Sequence, residues 1–259
     1  MGIGLAVGEA LAERGDQLVL VARGARALAE AVAALPGDGH VWHALDVSEE
    51  GAWGGIEAGE LQGLVCAAAV MDPIGPVGHY SVADFRRTLE INVIGTLLAV
   101  QHCLPALRAA RGSIVTFAGG GATGPLPRFD AYATSKAAVV RLCENLASEI
   151  APVPINVVAP GFVATRLHEL TLAAGPEMAG QEFFERTERE VEGGGFPAAE
   201  AAELVTYLLS GVDFTGKLIS AQWDPWHAPE FRQRLTAEPD FATIRRIDGM
   251  FFERIASDS

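Results

Sequence analysis

The sequence predicts an α/β fold: a doubly wound parallel sheet with helices on both faces. Two observations lead there. Apolar runs of strand length alternate with helical periodicity from one end of the chain to the other, the pattern of a sheet buried on both sides. A Gly2-Ile3-Gly4 turn runs straight into the first helical stretch, where such folds bring backbone N–H groups up to a phosphate. The 259 residues, 49% hydrophobic and only 20% charged, are ample for one core, so residues 1–259 are expected to form a single domain.

In chain order, the apolar runs place strands at Gln17–Ala22, His40–Ala44, Gly63–Ala68, Ser113–Ala118, Pro154–Ala159 and Leu218–Ala221. Helical patterns fall near Leu5–Arg14, Ala25–Ala34, Val82–Ala110, Tyr132–Ile150 and Ala198–Leu209. Ser81 and Asp84 have the spacing of an N-terminal capping box for the third helix. Two regions break the alternation. Thr165–Gly195 is a polar, helix-patterned insertion beside the sheet's carboxyl edge, to be read as a lid over substrate or as a surface excursion. The tail, residues 224–259, is rich in aromatic residues and arginine, a composition suited to packing on another surface.

A formal charge of −14 without any basic run argues against a nucleic-acid partner, whose affinity rests on clustered Lys and Arg. Cys66, Cys103 and Cys143 are odd in number and widely spaced; reduced cytoplasmic thiols are the simplest reading. His40 and His43 fall in a predicted strand at a spacing that sends their rings to opposite faces, and no metal is expected. No run of consecutive apolar residues reaches the roughly 18 that a spanning helix needs, and Met1–Val7 lacks a signal peptide's basic flank. The expectation is a cytoplasmic protein with no membrane partner.

In a Rossmann-like dinucleotide fold, Gly2 and Gly4 let the helix N-terminus meet a pyrophosphate. A helix does not begin such a fold, because the strand before the glycine turn stands at the sheet's centre. The sequence therefore predicts two half-sheets with unpaired edges, a first strand missing ahead of Gly2, and either a start internal to the natural chain or a compromised fragment. The following strand ends in Ala22-Arg23. An acid there would bind the adenosine ribose, whereas a 2′-phosphate asks for a cation, so NADP(H) is expected over NAD(H) unless Arg23 only solvates a loop. Asp46, in Leu45-Asp46-Val47, is placed either to hydrogen-bond an adenine amino group or to cap a helix.

Tyr132 and Lys136 stand at i and i+4, on one helix face. A cation beside a phenol favours phenolate, lowering its pKa from about 10 and making Tyr132 a general acid/base. The chain has only two lysines, Lys136 and Lys217, and three tyrosines, so the spacing is poorly explained by chance.

With the opening glycines, Tyr132-Ala133-Thr134-Ser135-Lys136, Ile91-Asn92-Val93-Ile94-Gly95 and Asn156-Val157-Val158-Ala159-Pro160-Gly161-Phe162-Val163-Ala164-Thr165 in this order, the chain resembles the short-chain dehydrogenase/reductase family over nearly its whole length. The resemblance implies that Asn92 holds a water in a proton relay with Lys136, that Lys136 anchors a ribose, and that Pro160, Gly161, Val163 and Thr165 flank a nicotinamide. It also implies a homodimer or homotetramer built on the Val82–Ala110 and Tyr132–Ile150 helices. Leu97, Leu98, Val139, Leu142 and Leu146 have the spacing for that interface, or for facing the sheet.

Three departures stand beside the likeness. The family's N-A-G turn is replaced by Cys66-Ala67-Ala68-Ala69, with Ala68 still able to pack near adenosine. The substrate-polarising serine is replaced by Gly119 in Ala118-Gly119-Gly120-Gly121; Thr116, Thr123 or glycine N–H groups are the alternatives, or the run is a tight turn without chemical role. The usual D-G-G after the last strand is absent. The function expected is NADP(H)-dependent interconversion of a carbonyl and a secondary alcohol in a small-molecule substrate. The alternative is a catalytically impaired nucleotide-binding protein with a binding or regulatory role. An epimerase or dehydratase on a nucleotide sugar is a weaker reading, since little chain remains for a substrate domain.

Overall fold

The computed structural model describes residues 2–57 and 59–245; the part of the predicted tail from 246 to 259 lies outside them. In chain order the elements are α1 (Ile3–Glu13), β1 (Val19–Ala22), α2 (Ala25–Ala34), β2 (Val41–Ala44), β3 (Gly63–Cys66), α3 (Val82–Leu89), α4 (Gly95–Ala110), β4 (Ser113–Phe117), α5 (Asp130–Glu149), β5 (Ile155–Ala159), α6 (Arg166–Ala179), α7 (Gln181–Glu192), α8 (Ala198–Leu209), β6 (Leu218–Ser220) and α9 (Pro229–Ala237).

The strands are all parallel, but they form two sheets. β1 pairs with β2, Val19 opposite Val41 and Ala22 opposite Ala44, and β3, β4, β5 and β6 pair in that order. Among the described residues no ladder joins β1 to β3, so the two half-sheets expected from the sequence are present. β4 is buried at every residue, whereas β3 is half-buried throughout and Val19 of β1 is 44% exposed. Helix α1 bridges the halves: a β-carbon on Gly4 would lie 3.1 Å from the Ala67 side chain and one on Gly8 3.7 Å from that of Leu18.

The period-two pattern of β4 and β5 builds a core on each face of the four-stranded sheet. Val115, Phe117 and Val158 meet α1 and α8 through Val7, Leu204, Val205 and Leu208. Ile114, Ile155 and Val157 meet α4 and α5 through Val100, Leu107, Val139, Val140 and Cys143. The predicted stripe on α4 and α5 is thereby divided. Val139 is core, Leu98 and Leu146 pack at core margins, and Leu97 and Leu142 stay half-buried.

The capping box ahead of α3 is formed, Asp84 N donating to Ser81 Oγ at 3.1 Å and Ser81 N to Asp84 Oδ2 at 3.3 Å. A π turn, Glu90–Ile94, joins α3 to α4. The continuous Val82–Ala110 helix has an 18-residue window of mean hydropathy 1.3 and is long enough to cross a membrane. Here its apolar side, including Val100, Cys103 and Leu107, lies in the core against the sheet.

The Thr165–Gly195 insertion is helical, as α6 and α7 packed on each other. The described part of the tail packs on its own domain. After α9 the chain turns back along β6, where Leu218 N donates to Ala242 O at 2.7 Å. The Lys217 ammonium donates to the carbonyls of Glu238, Pro239 and Phe241 at 2.8, 2.9 and 2.9 Å. Ile244 N donates to Glu144 Oε1 of α5 at 2.8 Å.

Candidate active site

β4 and β5 end at the same edge of the sheet, and α5 begins there with Tyr132 and Lys136, 6% and 5% exposed. Lys136 Nζ donates to the carbonyl of Phe117, the last residue of β4, at 3.0 Å, and lies 5.8 Å from the centre of the Tyr132 ring. Burial pushes the Tyr132 phenol up to about 12 and the Lys136 ammonium down to about 8. The lowering of Tyr132 expected from i, i+4 spacing is thus reversed: the ammonium is turned to a carbonyl, and desolvation governs both groups. Nothing among the described residues hydrogen-bonds the Tyr132 hydroxyl, which points at Gly119; a β-carbon on that glycine would lie 2.8 Å from Tyr132 Cζ and closer still to the hydroxyl.

Asn92 sits in the π turn, a distortion found often at functional sites. Its Nδ2 donates to Val70 O at 2.9 Å and Ser135 Oγ at 2.8 Å, and its Oδ1 accepts from Val70 N at 2.8 Å. Ser135 Oγ in turn donates to Tyr132 O at 2.7 Å. The Asn92 side chain therefore ties the segment after β3 to the helix that carries Tyr132, and its bonds run to these groups rather than to Lys136.

Gly2, at φ +91°, caps α1 without any side-chain hydrogen bond to the first-turn N–H groups, which leaves that positive helix end open to an anion. A β-carbon on Gly2 would lie 4.0 Å from Thr165 Cγ2, so the opening turn and the loop after β5 meet. Ala68 is exposed next to this cradle, just after β3. Pro160, Gly161, Val163 and Thr165 follow β5. Phe162 N donates to Gln222 Oε1 at 3.4 Å, Phe196 N donates to Phe162 O at 2.7 Å, and Gly161 fits between Gln222 and Phe196. Thr165 caps α6 with its N–H directed to His168 Nδ1 at 3.4 Å, and the His168 ring packs 3.8 Å from that of Phe162. Burial drives His168 down to about 4, which keeps the ring neutral and its nitrogen able to accept.

Because Ala22 pairs with Ala44, Arg23 and Asp46 emerge at neighbouring strand ends, Arg23 exposed. The Asp46 carboxylate already has partners. Oδ1 accepts from Ser48 N at 3.0 Å and Ser48 Oγ at 2.6 Å, and Oδ2 pairs with the Arg87 guanidinium. Burial alone would raise Asp46, but the Ser48 and Arg87 contacts outweigh it and hold the carboxyl below its ordinary range. Val47 accepts the Trp53 indole N–H on its carbonyl at 3.0 Å and packs its side chain on Gly95.

Over Tyr132 lie Met71, Phe129 and Ala179, with Leu167, Phe183 and Phe184 of α6 and α7 packed around them; Phe129 and Phe183 are 4.7 Å apart between ring centres. Sequence reasoning missed His168, Gln222, Phe196 and Arg87. Only His168 had a local signal, its capping-box spacing from Thr165. An open helix N-terminus, a glycine cradle and an exposed cation at the adjacent strand end together fit a phosphate-bearing dinucleotide.

A family model described as Enoyl-(Acyl carrier protein) reductase matches residues 1–215. Cis-4-hydroxycyclohexanecarboxylate dehydrogenase of Sinomonas cyclohexanicum is 33% identical over 233 residues, 82% of this chain and 91% of that protein. Human dehydrogenase/reductase SDR family member 4 is 32% identical over 175 residues, 63% of each chain. Among solved structures, the KRED1-Pglu enzyme superposes with a TM-score of 0.78 at 25% identity, covering 85% of this chain and 96% of its own. NAD+-bound xylitol dehydrogenase gives 0.70 at 26% identity, covering 84% and 92%.

Proposed function

The chain belongs to the short-chain dehydrogenase/reductase family of oxidoreductases, and on that premise we propose that it interconverts a ketone and a secondary alcohol with NADP(H) in preference to NAD(H). One observation carries the reading: a Tyr132 hydroxyl without a partner among the described residues, nine-tenths buried, one helical turn from a buried lysine at the carboxyl edge of the sheet. Bound nicotinamide supplies or takes up the hydride.

Tyr132, pushed up to about 12, holds its proton at neutral pH and gives it from Oη to the substrate oxygen in the reducing direction. Lys136 spends one N–H on Phe117 and keeps two for ribose hydroxyls. Asn92 positions α5 through Ser135. Gly2 and Gly4 admit the pyrophosphate, and Arg23 meets the 2′-phosphate. Asp46, Val47 and Ala68 line the adenine end, and Pro160, Gly161, Val163 and Thr165 the nicotinamide end.

The apolar cover of Met71, Ile74, Leu126, Phe183 and Phe184 beside Tyr132 suits an apolar ring, and the Sinomonas relative is named for a cyclohexane alcohol. We therefore propose cyclic ketones as the substrate class. Leu97 and Leu142 would contribute to a dimer or tetramer interface, in a cytoplasmic enzyme.

The experiment is NADPH oxidation, with NADH in parallel, across cyclic and open-chain ketones. Turnover of a cyclic ketone supports the reading. Tight NADPH binding without turnover of any carbonyl would replace it with the second one, nucleotide binding without catalysis, which the split sheet favours.

A further inference from the structure

A carbonyl oxygen waiting for the Tyr132 proton needs a second donor to hold it as negative charge develops. No side chain at 119 can serve, because Tyr132 fills the volume where its β-carbon would stand. Nor can the nearby threonines. Thr116 is fully buried with its hydroxyl on Cys143 Sγ at 3.2 Å, and Thr123 is exposed.

The Gly119–Gly121 turn itself is differently placed. Ala122 N donates to Gly119 O at 3.1 Å, which closes the turn, while the N–H groups of Gly119, Gly120 and Gly121 find no acceptor among the described residues. Gly121 has φ +85°, a left-handed conformation that glycine adopts without a β-carbon penalty. The turn lies directly on the catalytic helix, since a β-carbon on Gly121 would come 3.0 Å from Ala133 Cα. Gly120 is exposed and Gly119 half-exposed, and the Tyr132 hydroxyl points at Gly119. Among the described residues, an unpartnered phenol and unpartnered amides thus stand side by side.

We propose that the backbone amides of the Gly119–Gly121 turn bind the substrate's carbonyl oxygen, in the role otherwise given to a side-chain hydroxyl, and that Gly119 lacks a side chain because Tyr132 Oη occupies its place. This rests on the ketone reading of the same site. No covalent step is added: the turn holds the oxygen while Tyr132 protonates it.

Two measurements test it. In protein labelled with 15N-glycine, saturation with cyclohexanone as probe should move the amide proton signals of the turn downfield, relative to glycines such as Gly15 and Gly211. Turn signals that stay still at concentrations where the probe is bound or turned over would overturn the proposal, as would their silence at every soluble concentration. Gly119→Ser and Gly119→Ala should each lower kcat/KM about a hundredfold or more, to similar levels, by displacing Tyr132. A serine variant more active than the parent, or tenfold above the alanine variant, would also overturn it. Absence of nicotinamide-linked turnover in the parent is a separate outcome, which removes the ketone reading while the shifts still decide whether these amides bind a carbonyl oxygen.

Discussion

Lys136 and Tyr132 share the buried face of one helix, yet the ammonium points to the carbonyl of Phe117 and stands 5.8 Å from the phenol ring. Its charge is spent on the end of β4, and the phenol keeps its proton.

Tyr132→Phe should therefore remove turnover, by the 10²–10⁴ typical of a lost general acid, and leave NADPH affinity within about threefold. Steady-state rates and a fluorescence titration give both numbers. Activity within threefold of the parent would remove Tyr132 from the mechanism.

Stability should depend on Lys136 in an unusual direction. Burial sets its folded value near 8 against 10.5 for a free lysine, so the cost of the buried charge is fully present below pH 8. That cost is relieved as pH rises from about 8 to about 10.5, where the unfolded chain binds the extra proton. Tyr132, raised from 10 to about 12, opposes the trend above about pH 10. Lys136→Met should be inactive yet unfold at higher urea near neutral pH, by an amount on the order of 3 kcal/mol at most, and should lose the alkaline gain. A lower urea midpoint than the parent at pH 7 would contradict this.

Arg23 is exposed beside an alanine-terminated strand. NADPH should bind more tightly than NADH, and Arg23→Ala should weaken NADPH about tenfold or more with little effect on NADH. Equal affinities in the parent would leave the preference without a basis.

Lys217 is 4% exposed and anchors the returning tail through three carbonyls. Lys217→Met leaves those acceptors without their charged donor and should cost about 2 kcal/mol in urea unfolding, with kcat unchanged. A loss below about 0.5 kcal/mol would mean that the tail holds without it.

All six strands were legible as apolar runs, because each is short and parallel, although β2 is exposed at three of its four residues. Their ends were less so. Gly63–Ala68 shortens to Gly63–Cys66, since Ala67–Ala69 carry no branched side chain to hold them in the sheet. Tyr132 and Lys136 were legible because i, i+4 is a local geometry. The Lys217 cage, the Arg87 partner of Asp46 and the Gln222 brace under Phe162 join residues 21 to 60 positions apart, and no local pattern encodes them. The π turn around Asn92 leaves the helical pattern of its flanks unbroken, so it too was silent. The direction of the Tyr132 shift depended on where the Lys136 ammonium points, which spacing alone does not specify.

Arg23 and Asp46 ride on the two-stranded sheet, while Tyr132, Gly161 and Thr165 stand at the end of the four-stranded one. A dinucleotide reaching from one group to the other acts as a rivet between two separately hydrogen-bonded plates. Its affinity and the mutual order of the plates become one quantity, so hydrogen exchange in Val19–Ala22 should slow with nucleotide occupancy much more than in the already sealed Ser113–Phe117.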